Sequence, residues 1–163
     1  MGYRVKKTLL ALFLFTACSR AATTTTTTTG PVGAPPAPAA PSANVAGASS
    51  PRAAVEQFLN GAKSQDIQAM SVVFGTSRGP ARDNMSRDEL EKRLIILQCY
   101  FNHDKFRIVS ETPGDGGHRV VATELTRGTN VRIPNFYTIS GPGGRIYIDN
   151  MEIAAVKDFC RGD

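Results

Sequence analysis

The change of hydrophobic period near Asp104 constrains the fold of this chain more than any other feature. Before it, apolar residues recur every three to four positions; after it they alternate with polar ones, beginning with Phe106 and Ile108. The first spacing predicts amphipathic helices, and alternation predicts half-buried strands. Helices that precede a run of strands favour an α+β layer structure over repeated βαβ units.

Three helices are predicted before the change of period. The first begins at Pro51 behind an N-cap at Ser50, and its apolar face is Val55, Phe58, Leu59 and Ala62. A second, shorter helix covers residues 66–74. The third opens at Ser86, whose spacing to Glu89 is that of a capping box. Its predicted stripe is Leu90, Leu94, Leu97 and Phe101, widened by Ile95 and Ile96.

Four strands are predicted after the change of period. The first contains Phe106 and Ile108, the second spans residues 119–126, the third spans 131–139, and the fourth begins at Ile146. The third is expected to bulge or bend at Pro134, because proline cannot donate to a strand ladder. Glycine-rich turns separate the strands, which predicts an antiparallel meander.

The first fifty residues differ in composition from the rest. Three cations, a short apolar run over residues 8–15 and the small pair Thr16-Ala17 are typical of a secretory signal. The run is too short for a transmembrane helix, which needs about 20 apolar residues. Residues 18–50 are rich in Thr, Pro and Ala and offer little to bury, which predicts a disordered linker.

The junction Phe15-Thr16-Ala17-Cys18 resembles the lipobox of bacterial lipoproteins. The resemblance implies cleavage before Cys18, acylation of Cys18, and a lipid anchor to the cytoplasmic or outer membrane, on the outside of the cytoplasm. An ordinary signal peptide with a cysteine at the junction by chance is the alternative. The predicted organisation is a signal peptide at 1–17, a lipid-anchored linker at 18–50 and a domain at 51–163.

Charge and cysteine content narrow the function further. Removing residues 1–17 leaves 16 Lys and Arg against 14 Asp and Glu, so nucleic acid is not an expected partner. Cys99 and Cys160 are a pair in an exported chain, which favours a disulfide over two buried free thiols. Neither His103 nor His118 adds a ligand set near the cysteines, so neither a metal nor a cofactor is expected.

Three stretches of the domain resemble the nuclear transport factor 2-like (cystatin-like) superfamily, in particular exported lipoprotein domains of unknown function. They are PRAAVEQFL at 51–59, FGT at 74–76 and GGRIYI at 143–148, where relatives often carry a Trp that this chain lacks. The resemblance implies three helices packed on a curved four-stranded antiparallel sheet that forms a cone. Some members use the cone as an enzyme site, and others use it for binding or assembly.

Two functions follow from the resemblance. The first is a non-catalytic module that contacts an unknown envelope protein, with a homodimer formed through the sheet. The alternative is a small-molecule-binding or isomerase-like pocket lined by Phe58, Met70, Leu94, Phe106, Glu124 and Tyr137. No catalytic residue is predicted, because Glu124, Tyr137 and His103-Asp104 all fit ordinary structural roles. The strand arginines Arg107, Arg119, Arg127, Arg132 and Arg145 form either a solvated face or a surface for an acidic partner.

Overall fold

The computed structural model describes residues 45–161. Three helices come first: α1 (Pro51–Ser64), α2 (Ile67–Val73) and α3 (Arg87–Tyr100). A two-stranded ribbon, β1 (Gly75–Thr76) and β2 (Gly79–Pro80), lies between α2 and α3. Five strands follow: β3 (Lys105–Pro113), β4 (Arg119–Arg127), β5 (Asn130–Arg132), β6 (Asn135–Ser140) and β7 (Ile146–Met151). The predicted α+β class, with helices before strands, is therefore confirmed.

Each helix begins with a side-chain cap, and the caps of α1 and α3 lie at the positions that the sequence predicts. Ser50, Asp66 and Ser86 each accept a hydrogen bond from the backbone N–H three residues later, at 3.2, 2.9 and 3.3 Å. These caps satisfy donors that have no partner within the helix. The first helix ends at Gln65, which adopts the left-handed conformation with φ 59°.

The main sheet has five strands, so the prediction of four was wrong. Its order is β3-β4-β6-β7, entirely antiparallel, and β5 pairs with the end of β4 beside β6. The predicted third strand divides at Pro134, whose missing N–H interrupts the ladder. The carbonyl of Pro134 still accepts a hydrogen bond from the N–H of Thr123 at 3.1 Å, which keeps the bend against the sheet.

The helices cover one face of the sheet, here called the inner face. The inner-face residues Val121, Leu125, Phe136 and Ile148 are fully buried against them. At the centre, the rings of Phe58, Phe101 and Phe136 contact one another at centroid distances of 5.1–6.1 Å. Aromatic side chains bury large apolar areas and pack well edge to face, so this cluster joins α1, the end of α3 and β6.

Residues 46–48, here called the strap, pack against β7 before α1 begins. Ala48 and Ile146 exchange two backbone hydrogen bonds of 2.9 Å. The Tyr147 hydroxyl donates to the Ala46 carbonyl at 3.3 Å, and Gly47 faces the Tyr147 ring with φ +81°. The packed part of the chain therefore begins before Pro51.

A disulfide between Cys99 and Cys160 joins the end of α3 to the C-terminal segment, with the two Cα atoms 5.0 Å apart. The pairing is the one that the sequence predicts. Beside it, Val156 and Phe159 are buried in the core, so the segment is held by packing as well as by the bridge.

The apolar stripe of α3 is narrower than its sequence predicts. Leu90, Leu94 and Leu97 are buried, but Ile95 and Ile96 are 49% and 55% exposed. Among residues 45–161, one side of α3 packs against the other elements, and Ile95 and Ile96 lie outside that side. Within residues 45–161, no helix is long and apolar enough to cross a membrane.

Candidate functional site

The space between the helices and the inner face, where the predicted pocket would lie, is filled with packed side chains. Phe58 and Met70 are fully buried and Leu94 is 2% exposed; all three belong to the hydrophobic core. Phe106 is partly buried and packs against the same core. These four predicted pocket residues do lie on one side of the sheet, where they contribute to packing.

The other two predicted pocket residues lie on the opposite face of the sheet, here called the outer face. Glu124 alternates with buried Thr123 and Leu125, and it accepts a hydrogen bond from Arg107 at 2.9 Å. Tyr137 follows buried Phe136 in the same way. Because successive residues of a strand point to opposite faces, the structure does not bring the six residues together.

The outer face is largely apolar along its middle. Its half-buried apolar residues are Val120, Ala122, Tyr137 and Ile139. Val109, Val131 and Ile133, on or beside this face, are 45–51% exposed. Within residues 45–161 no helix covers these side chains, in contrast to the inner face. Apolar side chains that stay partly exposed on one face of a sheet make that face a candidate for protein binding.

A histidine–carboxylate pair lies at one end of the outer face. His118 directly precedes β4, and Asp149 is an extra residue in β7 at a register shift opposite Tyr137 and Thr138. Their side chains meet over β6, with 2.8 Å between His118 Nε2 and Asp149 Oδ2. The His118 ring also stands edge to face with Tyr137, at a centroid distance of 6.4 Å.

Both ring nitrogens of His118 face hydrogen-bond acceptors. Nδ1 lies 2.8 Å from the carbonyl oxygen of Asp115, and Nε2 faces the Asp149 carboxylate. These two bonds, the one to Asp149 being the stronger influence, raise the pKa of His118 above its usual range. Neither nitrogen is free to take a proton from a bound molecule, so the pair is better suited to holding the fold than to acid–base catalysis.

Sequence reasoning missed this pair. His118 stands at the end of a glycine turn, and Asp149 follows it 31 residues later. The bulge that turns Asp149 toward His118 has no recognisable sequence signal. The sequence offers one weak signal for this pair: a histidine at the start of one strand and an acidic residue in another strand.

The His103-Asp104 pair has a structural role. His103 is 3% exposed, its Nδ1 donates to the Phe101 carbonyl at 2.7 Å, and its ring packs edge to face on Phe106. Burial lowers the pKa of His103, because a charged imidazolium loses hydration there. The Asp104 carboxylate accepts the N–H of Gly128 at 2.8 Å and so joins the helix end to the β4–β5 turn.

The strand arginines do not form a single basic surface. Four of them bind separate partners: Arg107 binds Glu124, Arg119 binds Glu111, Arg132 binds Asp158, and Arg145 binds the carbonyls of Ala46 and Gly47. The hydrogen bond from Arg132 also lowers the pKa of Asp158. Three of these cations are paired with carboxylates and the four are dispersed, so they give no concentrated field for an acidic polymer.

A groove of about 290 Å³ lies between α3 and β7. Its lining combines apolar side chains with three polar ones: Phe74, Ile96, Leu97, Met151 and Ile153, together with Arg93, Asp149 and Asn150. Within the described part of the chain, no three His, Cys, Asp or Glu side chains lie together as metal ligands would.

Comparison of the chain with protein-family models, with curated proteins and with solved structures found no match. Functional inference therefore depends on the surfaces themselves. The outer face presents partly exposed apolar side chains on an antiparallel sheet. The apolar side chains of the inner face are buried or partly buried against the helices.

Proposed function

We propose that this protein is a lipid-anchored protein of the cell envelope whose folded domain is a non-catalytic binding or assembly module. The lipobox-like junction supports the anchor, although Cys18 lies outside the described residues. The disulfide supports folding in an oxidising compartment, since such bridges are rare in the cytoplasm.

We further propose that the domain belongs to the nuclear transport factor 2-like superfamily and has its cone-shaped sheet. Three helices before an antiparallel sheet agree with this assignment. Register shifts in β3 and β7 agree as well, because bulges bend and twist strands. The buried rings of Phe58, Phe101 and Phe136 fill the space between the helices and the inner face.

The contrast between the two sheet faces carries the proposed binding role. A ligand-binding domain keeps a concave, mostly apolar cavity with a few polar groups, whereas this interior is packed with buried side chains. Apolar side chains instead reach solvent on the outer face at Val131, and beside it at Val109 in the bulge of β3. A partner protein that covers this face would bury them, and the partner is either another envelope protein or a second copy of the chain.

Affinity purification with a matched pair of variants tests this role. Val131 and Ile95 are 48% and 49% exposed, but Val131 pairs with Thr126 on the sheet and Ile95 lies on α3. We expect Val131→Lys to lose the protein that copurifies with the wild type from solubilised envelopes, and Ile95→Lys to retain it. Equal recovery with both variants, or recovery of a small molecule alone, would contradict binding through the outer face.

The anchor is tested separately by mass spectrometry of the mature N-terminus. We expect a peptide that begins at Cys18 and carries acyl chains, and release of the protein from membranes in a Cys18→Ser variant. Each additional buried CH₂ of an acyl chain contributes about 0.8 kcal/mol to membrane binding, so losing all chains should be decisive. An unmodified N-terminus beyond Cys18 would contradict the lipoprotein assignment.

A further inference from the structure

We propose that His118 is a pH-sensitive clamp that fastens the β3–β4 turn to the bulge of β7 and so fixes one end of the outer face. The proposal rests on the position of one imidazole between acceptors from two distant elements. It does not depend on which partner binds the outer face.

The hydrogen bonds of His118 define the closed clamp. Its ring nitrogens lie 2.8 Å from the Asp115 carbonyl oxygen and 2.8 Å from Asp149 Oδ2. Neither oxygen can donate, so both bonds require a proton on the nitrogen. Only the imidazolium has both protons, and the closed clamp is therefore the charged form of His118.

His118 is the hydrogen-bond partner that stabilises the Asp149 carboxylate, because the other carboxylate oxygen, Oδ1, has none among the described residues. Oδ1 is also buried. A partly buried carboxylate without a donor is unfavourable. When His118 loses its charge, Asp149 loses its ionic partner, and we expect the side chain to turn toward water.

The groups around His118 favour the charged form. Asp149 approaches from β7, Tyr137 from β6, and Asp115 belongs to the adjoining turn. The next residue, Arg119, is held by Glu111 of β3 at 3.0 Å. Among the described residues, Asp149 is the one ionic partner of His118.

The turn that the clamp fastens lies at the end of the β3–β4 pair, beyond the last paired residues Pro113 and Arg119. It is closed by hydrogen bonds from Gly114 N–H to the His118 carbonyl at 2.9 Å and from His118 N–H to the Asp115 carbonyl at 3.1 Å. Gly116 and Gly117 occupy its positive-φ positions. The bonds to Asp149 and Asp115 raise the pKa of His118. The clamp is therefore closed at pH values below the usual pKa of histidine, and it opens as the pH rises through the raised pKa.

Nuclear magnetic resonance titration of both histidines in the full chain tests the clamp, with hydrogen exchange of the turn amides measured in parallel. We expect the pKa of His118 to exceed that of His103. We also expect protection of the Gly114 and His118 amides, corrected for intrinsic exchange, to fall as His118 deprotonates. Each pH unit by which the pKa is raised corresponds to about a tenfold preference of the closed clamp for the charged form.

Two isosteric variants give the control. Asp149→Asn removes the charge that faces His118, so the pKa of His118 should fall toward its ordinary value and protection should no longer change with pH. Glu111→Gln removes a nearby carboxylate that binds Arg119 instead, and should leave the His118 titration unchanged. A wild-type pKa at or below the ordinary value, an unchanged titration in Asp149→Asn, or pH-independent protection of the turn in the wild type would overturn the proposal.

Discussion

At the scale of single residues, two histidines show how position decides protonation. His103 lies in the core with Nδ1 bonded, and its buried Nε2 has no hydrogen-bond partner within residues 45–161, so it favours the neutral form. His118 lies between two acceptors at the surface and favours the charged form. Their pKa values move in opposite directions. His103 therefore changes the stability of the protein at pH values below the ordinary histidine pKa, and His118 changes it at pH values above that pKa.

We expect His103 to make the protein less stable in acid. The lowered pKa of the folded state means that unfolding takes up a proton below about pH 6.5. Stability is therefore complete above that pH and falls as the pH decreases toward the folded pKa. In a His103→Gln variant, urea unfolding between pH 7 and pH 5 should show a slope smaller by up to about 1.4 kcal/mol per pH unit. An identical pH slope in both proteins would contradict this role.

Gly47 tests whether the strap is part of the domain. A Cβ at Gly47 would stand 2.8 Å from both Arg145 Cβ and Tyr147 Cζ, whereas a Cβ at Gly128 meets nothing within 4 Å. Both glycines have positive φ, +81° and +57°. Gly128→Ala should therefore cost only the left-handed strain of about 1–2 kcal/mol, and Gly47→Ala about 1–3 kcal/mol more from overpacking. Equal losses in thermal unfolding would show that the strap is not packed as described.

At the scale of elements, periodicity predicted the helices well and their burial less well. The caps at Ser50 and Ser86 are local signals, so they fixed where α1 and α3 begin. Ile95 and Ile96 extend the apolar residues of α3 around the helix, and only tertiary packing determines which of them is buried. The sequence pattern therefore predicted the position of α3 correctly, but it predicted more buried residues on the helix than the structure has.

Adjacent residues of α3 provide a direct check of that difference. Leu94 is 2% exposed and Ile95 is 49% exposed. Leu94→Ala should lower the free energy of unfolding by about 2–5 kcal/mol, because it leaves a cavity in the core. Ile95→Ala should change it by no more than about 0.5 kcal/mol in denaturant titrations. Similar losses in the two variants would mean that α3 is rotated relative to this structure.

The strands, too, could be predicted only in part from the sequence, because their pairing depends on residues that are distant along the chain. The bend at Pro134 could be predicted because proline lacks a donor, although the number of strands could not. The register shifts at Val109 and Asp149 depend on pairing between strands that are distant in sequence. For that reason the pairing of His118 with Asp149 could not be predicted. Strand parity for Glu124 likewise left both faces open until the packing of Leu125 was known.

The disulfide constrains the region between α3 and the C-terminal segment. It spans a sequence separation of 61 residues, which corresponds to about 4 kcal/mol of stabilisation on the chain-entropy model. We expect a variant with both Cys99→Ser and Cys160→Ser to unfold at lower denaturant by about that free energy. Reductant should lower the stability of the wild type and leave the double variant unchanged. Equal stability with and without reductant in the wild type would contradict a structural bridge.

At the scale of the whole molecule, the two faces of the sheet differ in how their apolar side chains are covered. The inner face is covered by three helices and an aromatic cluster, and the outer face leaves Val131 exposed, with Val109 exposed at the bulge of β3. A cavity-based activity has little room in such an interior. The proposed binding through the sheet would use side chains that the strands already present to solvent.

Photo-crosslinking in intact cells tests binding through the outer face most directly. A photoreactive amino acid at Val131 and a control at Ile95 would report on two sites of nearly equal exposure, on the sheet and on α3. We expect Val131 to give a discrete crosslinked protein or a crosslinked dimer, and Ile95 to give neither. No adduct at Val131, or the same adducts at both positions, would contradict an assembly role for the outer face.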